Sequence, residues 1–161
     1  MAATPIVAST RFINPGVTVV LWLPAVANKN SVTRAEINAG TDLSRELADC
    51  SGWMVSSNQV DTPDMSTRFT SKIPGRISAD DSTLSMYESQ NSIDARSLMP
   101  RDTNGFVVWM DGGDVPTQKL DCFPVRVSSV GKTRSVGDDP GRLNFAFAIT
   151  SQPAEDVTIP A

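Results

Sequence analysis

The stretch Arg142-Leu-Asn-Phe-Ala-Phe-Ala-Ile149 decides the fold class. Leu143, Phe145, Phe147 and Ile149 recur at every second position, while Arg142, Asn144, Ala146 and Ala148 occupy the alternate face. A period of two places one face of an extended strand on a core and leaves the other to solvent. The same period runs outward through the chain. Val17, Val19, Leu21 and Leu23 share a face of Val17–Leu23, and Phe123, Val125 and Val127 repeat the pattern. Phe106–Met110 is continuously apolar and reads as a strand buried on both faces. Ser44–Cys50, Trp53–Val60 and Ser82–Glu88 are weaker strand candidates. The expected fold is therefore mainly β.

Two short helices flank this pattern. Thr33 and Glu36 have the spacing of a capping box, and Gly40 is expected to end that helix in a left-handed conformation. The second is expected from about Ser92 to Leu98, with Asn91 as N-cap and Pro100 as the stop. Turn residues punctuate the strands at Asn14-Pro15-Gly16, Pro74-Gly75, Gly112-Gly113 and Asp138-Asp139-Pro140-Gly141. No internal repeat is visible.

The segment from Asp61 to Asp81 is longer than a compact domain spends on a plain connection. Its interior carries Arg68, Lys72 and Arg76 and no acid between Met65 and Ala79, while Asp61, Asp64, Asp80 and Asp81 fence it. Phe69, Ile73 and Ile77 give it apolar character, and apolar side chains on a protruding segment need burial somewhere. One reading is a solvated surface loop. The other is an extended arm, with Met65, Arg68, Phe69, Lys72, Ile73, Arg76 and Ile77 meeting a neighbouring subunit.

Composition sets the outer limits. The chain of 161 residues fits one domain able to bury a core, with three Trp, six Phe and a net charge of -4. That charge suggests neither a nucleic-acid clamp nor a basic membrane patch. No apolar run reaches the roughly 20 residues of a spanning helix, and Met1-Ala-Ala-Thr-Pro5 lacks the regions of a signal peptide. Folding in a cytoplasm is expected, where Cys50 and Cys122 read as small buried hydrophobes; their spacing demands no disulfide.

The chain has no histidine, which removes Ser–His and Cys–His nucleophiles and the commonest zinc ligand. Gly131-Lys132-Thr133 resembles the end of a phosphate-binding loop, but the required earlier glycine is Arg126, so an ordinary turn is expected. The acidic pairs Asp61/Asp64, Asp80/Asp81, Asp111/Asp114 and Asp138/Asp139 match no calcium loop, and Asp111-Gly-Gly-Asp114 reads as a hairpin turn. Trp22, Trp53 and Trp109 suit core packing better than a sugar platform. No catalytic, cofactor-binding or metal-binding residue is assigned, and the chain reads as a self-associating structural subunit.

Several segments together resemble the major tail (tail tube) proteins of bacteriophages with long, non-contractile tails, particularly those infecting actinobacteria. They are Ala35-Glu-Ile-Asn-Ala-Gly-Thr-Asp-Leu43, Asp61-Thr-Pro-Asp64, Arg68-Phe-Thr-Ser-Lys-Ile-Pro-Gly-Arg76 and Val107-Val-Trp-Met-Asp-Gly-Gly-Asp114. Phe123-Pro-Val-Arg-Val-Ser128 and Arg134-Ser-Val-Gly-Asp-Asp-Pro140 continue the match. Each is a turn or strand without chemistry; their order and combined length carry the resemblance, from about residue 17 to the C-terminus. It implies an antiparallel β-sandwich or β-barrel with one or two short flanking helices, spanning residues 1–161 as a single domain. It further implies an N-terminal arm at about 1–16, a long loop at about 61–81 and a C-terminal arm at about 152–161. Six copies would form a ring, and rings would stack into a tube in the virion tail, assembled in the bacterial cytoplasm. Tape measure, distal tail and tail terminator proteins would be its partners. Duplex DNA would cross the lumen during ejection without specific binding, and no membrane or cofactor is involved. A neutral or acidic lumen is expected, because clustered Lys and Arg would hold phosphates. A tail terminator, a head-decoration protein, a β-sandwich carbohydrate-binding module and a carboxylate-based hydrolase remain alternatives.

Overall fold

The computed structural model describes residues 3–92 and 94–161. Met1 and Ala2, which begin the expected N-terminal arm, and Ile93, within the expected second helix, lie outside the described residues. In chain order the elements are β1 (Val19–Leu23), α1 (Arg34–Ala39), β2 (Thr41–Asp42), β3 (Leu47–Ser51), β4 (Val55–Thr62) and β5 (Ser71–Ala79). They continue with β6 (Ser82–Tyr87), α2 (Ala95–Leu98), β7 (Asn104–Met110), β8 (Lys119–Thr133), β9 (Arg142–Ile149) and β10 (Ala154–Thr158). The fold is mainly β, as the alternation predicts.

One antiparallel sheet follows the order β2-β1-β7-β8-β9-β6-β3, with β10 added to β8; β4 and β5 pair as a separate two-stranded sheet. The large sheet does not close into a barrel, because β2 and β3, the ends of its path, do not pair. β8 organises it. Cys122 has Val108 on one side and Ala154 on the other, and Val125 has Gly105 and Ile149. The long strand thus carries β7 along one edge and β10 followed by β9 along the other.

Alternate side chains of β1, β7 and the first half of β8 feed two cores. Val20, Trp22, Val107, Phe123 and Val125 join Leu84, Met86, Leu143, Phe145 and Phe147 in one cluster. Leu21, Leu23, Val108, Met110, Leu120 and Cys122 join Val32, Ile37, Ala154 and Ile159 in the other. Phe106–Met110 is thus buried on both faces, as expected. Val17–Leu23 is corrected: β1 is also buried on both sides, because Val20 and Trp22 are as apolar as the Val19, Leu21 and Leu23 that set the period. Each fully buried Val, Leu or Phe contributes about 1.5–3 kcal/mol over an exposed one. Gly105 makes room for Trp22, since a Cβ there would lie 2.4 Å from the indole ring.

The capping box of α1 forms, with Glu36 also accepting the Ala27 N–H at 2.6 Å. Gly40 ends the helix in an extended conformation, φ -73 and ψ 167, not the expected left-handed one. What demands glycine is proximity: a Cβ would stand 2.9 Å from Leu23 Cδ1 and 3.2 Å from the Trp22 carbonyl. The second helix starts later than expected. Its N-cap is Asp94 in place of Asn91, because Asp94 both accepts the Arg96 N–H and holds the Arg96 guanidinium at 2.6 Å.

Two further expectations change. Gly131-Lys132-Thr133 is the end of β8, not a turn, because the ladder to β9 continues to Thr133↔Arg142. The C-terminal segment 152–161 folds back on its own chain as β10. Ala154 and Ile159 are buried in the second core, Arg34 Nη2 donates to the Pro160 carbonyl at 2.6 Å, and Lys29 Nζ donates to that of Gln152 at 2.5 Å.

Candidate assembly interface

The segment Asp61–Asp81 is the second half of a β-hairpin. Its first strand is β4, from the candidate Trp53–Val60 region, and residues 63–70 alone form the connection. Val60↔Ile73, Asp61↔Lys72 and Gln59↔Pro74 fix the register, with a bulge between Ser57 and Gln59. Pro74-Gly75, expected as a turn, lies inside β5. Pro74 is tolerated because a two-stranded sheet has only edge strands and the bulge interrupts the ladder beside it.

This register sorts the expected contact residues. Val60 and Ile73 pair on one face, with Lys72 and Pro74 on the other; the extra residue of β5 at the bulge shifts the alternation, so Ile77 falls with Val55 and Ala79 on that other face. Met65, Arg68 and Phe69 lie in the connection. The three β-strand apolar residues remain about half-exposed, Ile77 at 61%, and Phe69 is 76% exposed. Val60 was not singled out by sequence reasoning, because it stands alone among Ser, Asn and Gln and shows no period. Lys72 pairs with Asp61 at 3.1 Å on the surface, a contact worth at most about 1 kcal/mol. At the tip the Asp64 carboxylate accepts from the Ser66 hydroxyl and from the Ser66 and Thr67 N–H groups, which holds it below the usual carboxylate range.

The N-terminal residues from Ala3 to Ile13 form no helix or strand, and Ile6, Val7, Phe12 and Ile13 are exposed along them. Asn14-Pro15-Gly16 turns the chain into β1, with the Val17 and Thr18 N–H groups donating to the Asn14 carbonyl. Asp111-Gly-Gly-Asp114 forms the expected turn, Gly113 adopts φ +83, and Asp114 pairs with Arg34 at 2.7 Å. Trp22 is buried; Trp53 and Trp109 pack with ring centroids 5.5 Å apart and planes tilted by 56°, and Trp53 also meets Phe123 and Phe147.

Both cysteines are free. Cys122 is buried as expected, and burial pushes its thiol up to about 12. Cys50 corrects the expectation: as the end strand of the sheet, β3 leaves its thiol exposed. Among the described residues no three His, Cys, Asp or Glu side chains cluster so as to hold a metal, and no helix is long and apolar enough to cross a membrane.

A family model described as a phage tail tube protein matches residues 7–161. No curated protein matches the chain. A solved structure described as the baseplate of the anti-feeding prophage, six-fold symmetrised, aligns with a TM-score of 0.49 at 10% identity, over 93% of this chain and 95% of that one.

Proposed function

The chain belongs to the phage tail tube protein family, and from that premise we propose that it forms the tube of a long, non-contractile tail. Six copies close a ring, rings stack head to tail, and genomic DNA crosses the lumen during ejection. The observation that carries this reading is the hairpin β4–β5, whose apolar side chains Val60, Ile73 and Ile77 lie bare in the single chain. An apolar strand pair that its own domain does not cover is suited to burial by the next copy. Complementary surfaces at opposite ends of a ring give a stack that grows in one direction. Tape measure, distal tail and tail terminator proteins are the partners such a tube requires.

A second feature supports conduction in place of binding. The outward face of β6, β9 and the end of β8 carries Thr83, Ser85, Asn144, Ala146 and Ser129 in register, an uncharged stretch bounded by Arg142 at one end and Arg126 at the other. A lumen lined by such residues gives phosphates nothing to pair with. The role is structural, and no catalytic group is assigned.

Electron microscopy of the purified protein provides the test. Open-ended tubes with six-fold symmetry are expected; single closed rings would indicate a terminator and trimers a head-decoration protein. The tubes should release duplex DNA at low salt, and salt-sensitive capture in the lumen would overturn the conduction reading.

A further inference from the structure

The large sheet ends at β3, which pairs with β6 along one edge and, among the described residues, has no strand along the other. Beside that edge runs a groove formed by two adjoining cavities of about 610 and 180 Å³. Cys50 and Trp109 line both. The floor is apolar, with Val20, Leu47 and Trp109 in the larger part and Trp53 and Phe123 in the smaller. Asp42, Asp49, Asp111 and Asp121 border it against one cation, Arg45. Trp109 Nε1 is buried with no hydrogen-bond acceptor among the described residues, a donor whose desolvation goes uncompensated.

Resting on the tube reading, we propose that this groove is the socket for the β4–β5 hairpin end of a neighbouring copy of the chain. The hairpin end has the matching chemistry. It carries Arg68 in the connection, with Lys72 and Arg76 along β5 and the acids Asp61 and Asp64 beside them; Asp61 is taken up by Lys72, and Arg68 and Arg76 pair with no carboxylate among the described residues. Phe69 and Met65 supply exposed apolar side chains for the aromatic floor. Its extended backbone can add to the free edge of β3. Basic groups over the acidic border orient the encounter, and the apolar floor holds it. The N-terminal arm is also apolar and exposed, but it brings one cation, Arg11, and its end at Asn14, Pro15 and Gly16 already forms part of the groove wall.

Cys50, exposed in the groove wall, makes the test direct. Thr70→Cys next to Phe69 places a thiol on the hairpin end. Assembled tubes of this variant, oxidised with diamide at slightly alkaline pH, should give disulfide-linked ladders that vanish when Cys50→Ser is added. Val136→Cys, in the exposed β8–β9 connection, and Thr10→Cys, in the N-terminal arm, should cross-link at least tenfold less under the same conditions. Tubes in which Thr70→Cys cross-links no better than Val136→Cys would overturn the socket while leaving the tube reading intact. Preferential cross-linking through Thr10→Cys would make the N-terminal arm the occupant and overturn it too. Failure of the unmodified chain to form tubes under any condition would overturn both.

Discussion

Phe145 and Phe69 are one residue type in two opposite settings, 0% and 76% exposed. Phe145 lies in β9, where cross-strand neighbours on β6 and β8 and the facing β1 and β7 enclose it. Phe69 lies at the end of a hairpin that pairs with nothing but itself. Within the chain the large sheet buries both faces of β1 and β7 and one face of β6 and β9. The hairpin carries Val60, Ile73 and Ile77, which have little cover in the same chain. Ordering such a segment costs on the order of 1–2 kcal/mol per residue of backbone entropy. Burying Phe69, Ile73 and Ile77 returns about 1.5–3 kcal/mol each. Those three side chains alone fall well short of the ordering cost, so a neighbour must contribute hydrogen bonds and further contacts, and single chains stay apart until a growing end presents a fitting surface.

The strongest test of this contrast is mutational. Phe145→Ala should cost the isolated chain about 3–5 kcal/mol of unfolding free energy. Ile73→Ala with Ile77→Ala should change it by about 0.5 kcal/mol or less and yet abolish tubes. Urea unfolding and electron microscopy read the two effects separately. A large loss of chain stability in the double variant would make the hairpin part of the core and dissolve the comparison.

Glycine positions sharpen it. Gly105→Ala drives a Cβ to 2.4 Å from the Trp22 ring in the buried core and should cost about 1–3 kcal/mol. Gly75→Ala meets the Asn58 carbonyl at 2.7 Å, so the hairpin must change its twist. Its expected signature is an unaltered unfolding midpoint of the isolated chain with slower or absent tube growth. Equal midpoint losses in the two variants would contradict independent behaviour of the two regions.

Hydrogen exchange compares the regions without mutation. In single chains residues about 65–79 should exchange fast while β7 and β9 are protected; in tubes the hairpin should become slow. Equal protection of the hairpin in both states would remove its role in assembly.

How much of this was readable in the sequence follows from where each side chain finds its partner. β9 was legible because one face alone is buried, so Leu143, Phe145 and Phe147 stand out against Asn144 and the alanines. The double burial of β7 was legible from its unbroken apolar run, whereas in β1 a period-two pattern from Val17 to Leu23 concealed a second buried face. The length, charge and apolar residues of the 61–81 segment marked it as unusual. Its pairing was hidden, because Val55–Thr62 is mostly Ser, Asn and Gln and its strand character comes from β5. The groove was not legible at all: Trp109 and Asp121 are cross-strand partners on β7 and β8, and Cys50 comes from β3, at the far end of the sheet's strand order.

The smallest expected effect is the pH response, and here the two regions should differ in sign. Burial raises the Asp121 carboxyl above its ordinary range, opposed by the Asp156 N–H at 2.8 Å and reinforced by the charges of Asp111 and Asp156. In the isolated chain a carboxyl with a raised folded pKa favours folding in its protonated form. Its contribution to stability therefore grows as pH falls from that raised value to the unfolded value near about 3.9, and is constant below. Asp94, held low first by the Arg96 side chain, acts in a separate and lower window, where its stabilisation is lost as pH falls below about 3.9. Docking reverses the first trend. An arginine brought to the groove stabilises ionised Asp121, so assembly must release the proton and should strengthen as pH rises through the raised value. For one partly exposed ion pair the change is about twofold to fivefold in critical concentration, corresponding to at most about 1 kcal/mol. Sedimentation of tubes across mildly acidic pH, for the natural chain and Asp121→Asn, measures it. The variant should lose the pH slope; a slope that survives Asp121→Asn would place the titrating group elsewhere and take the acidic border out of the docking mechanism.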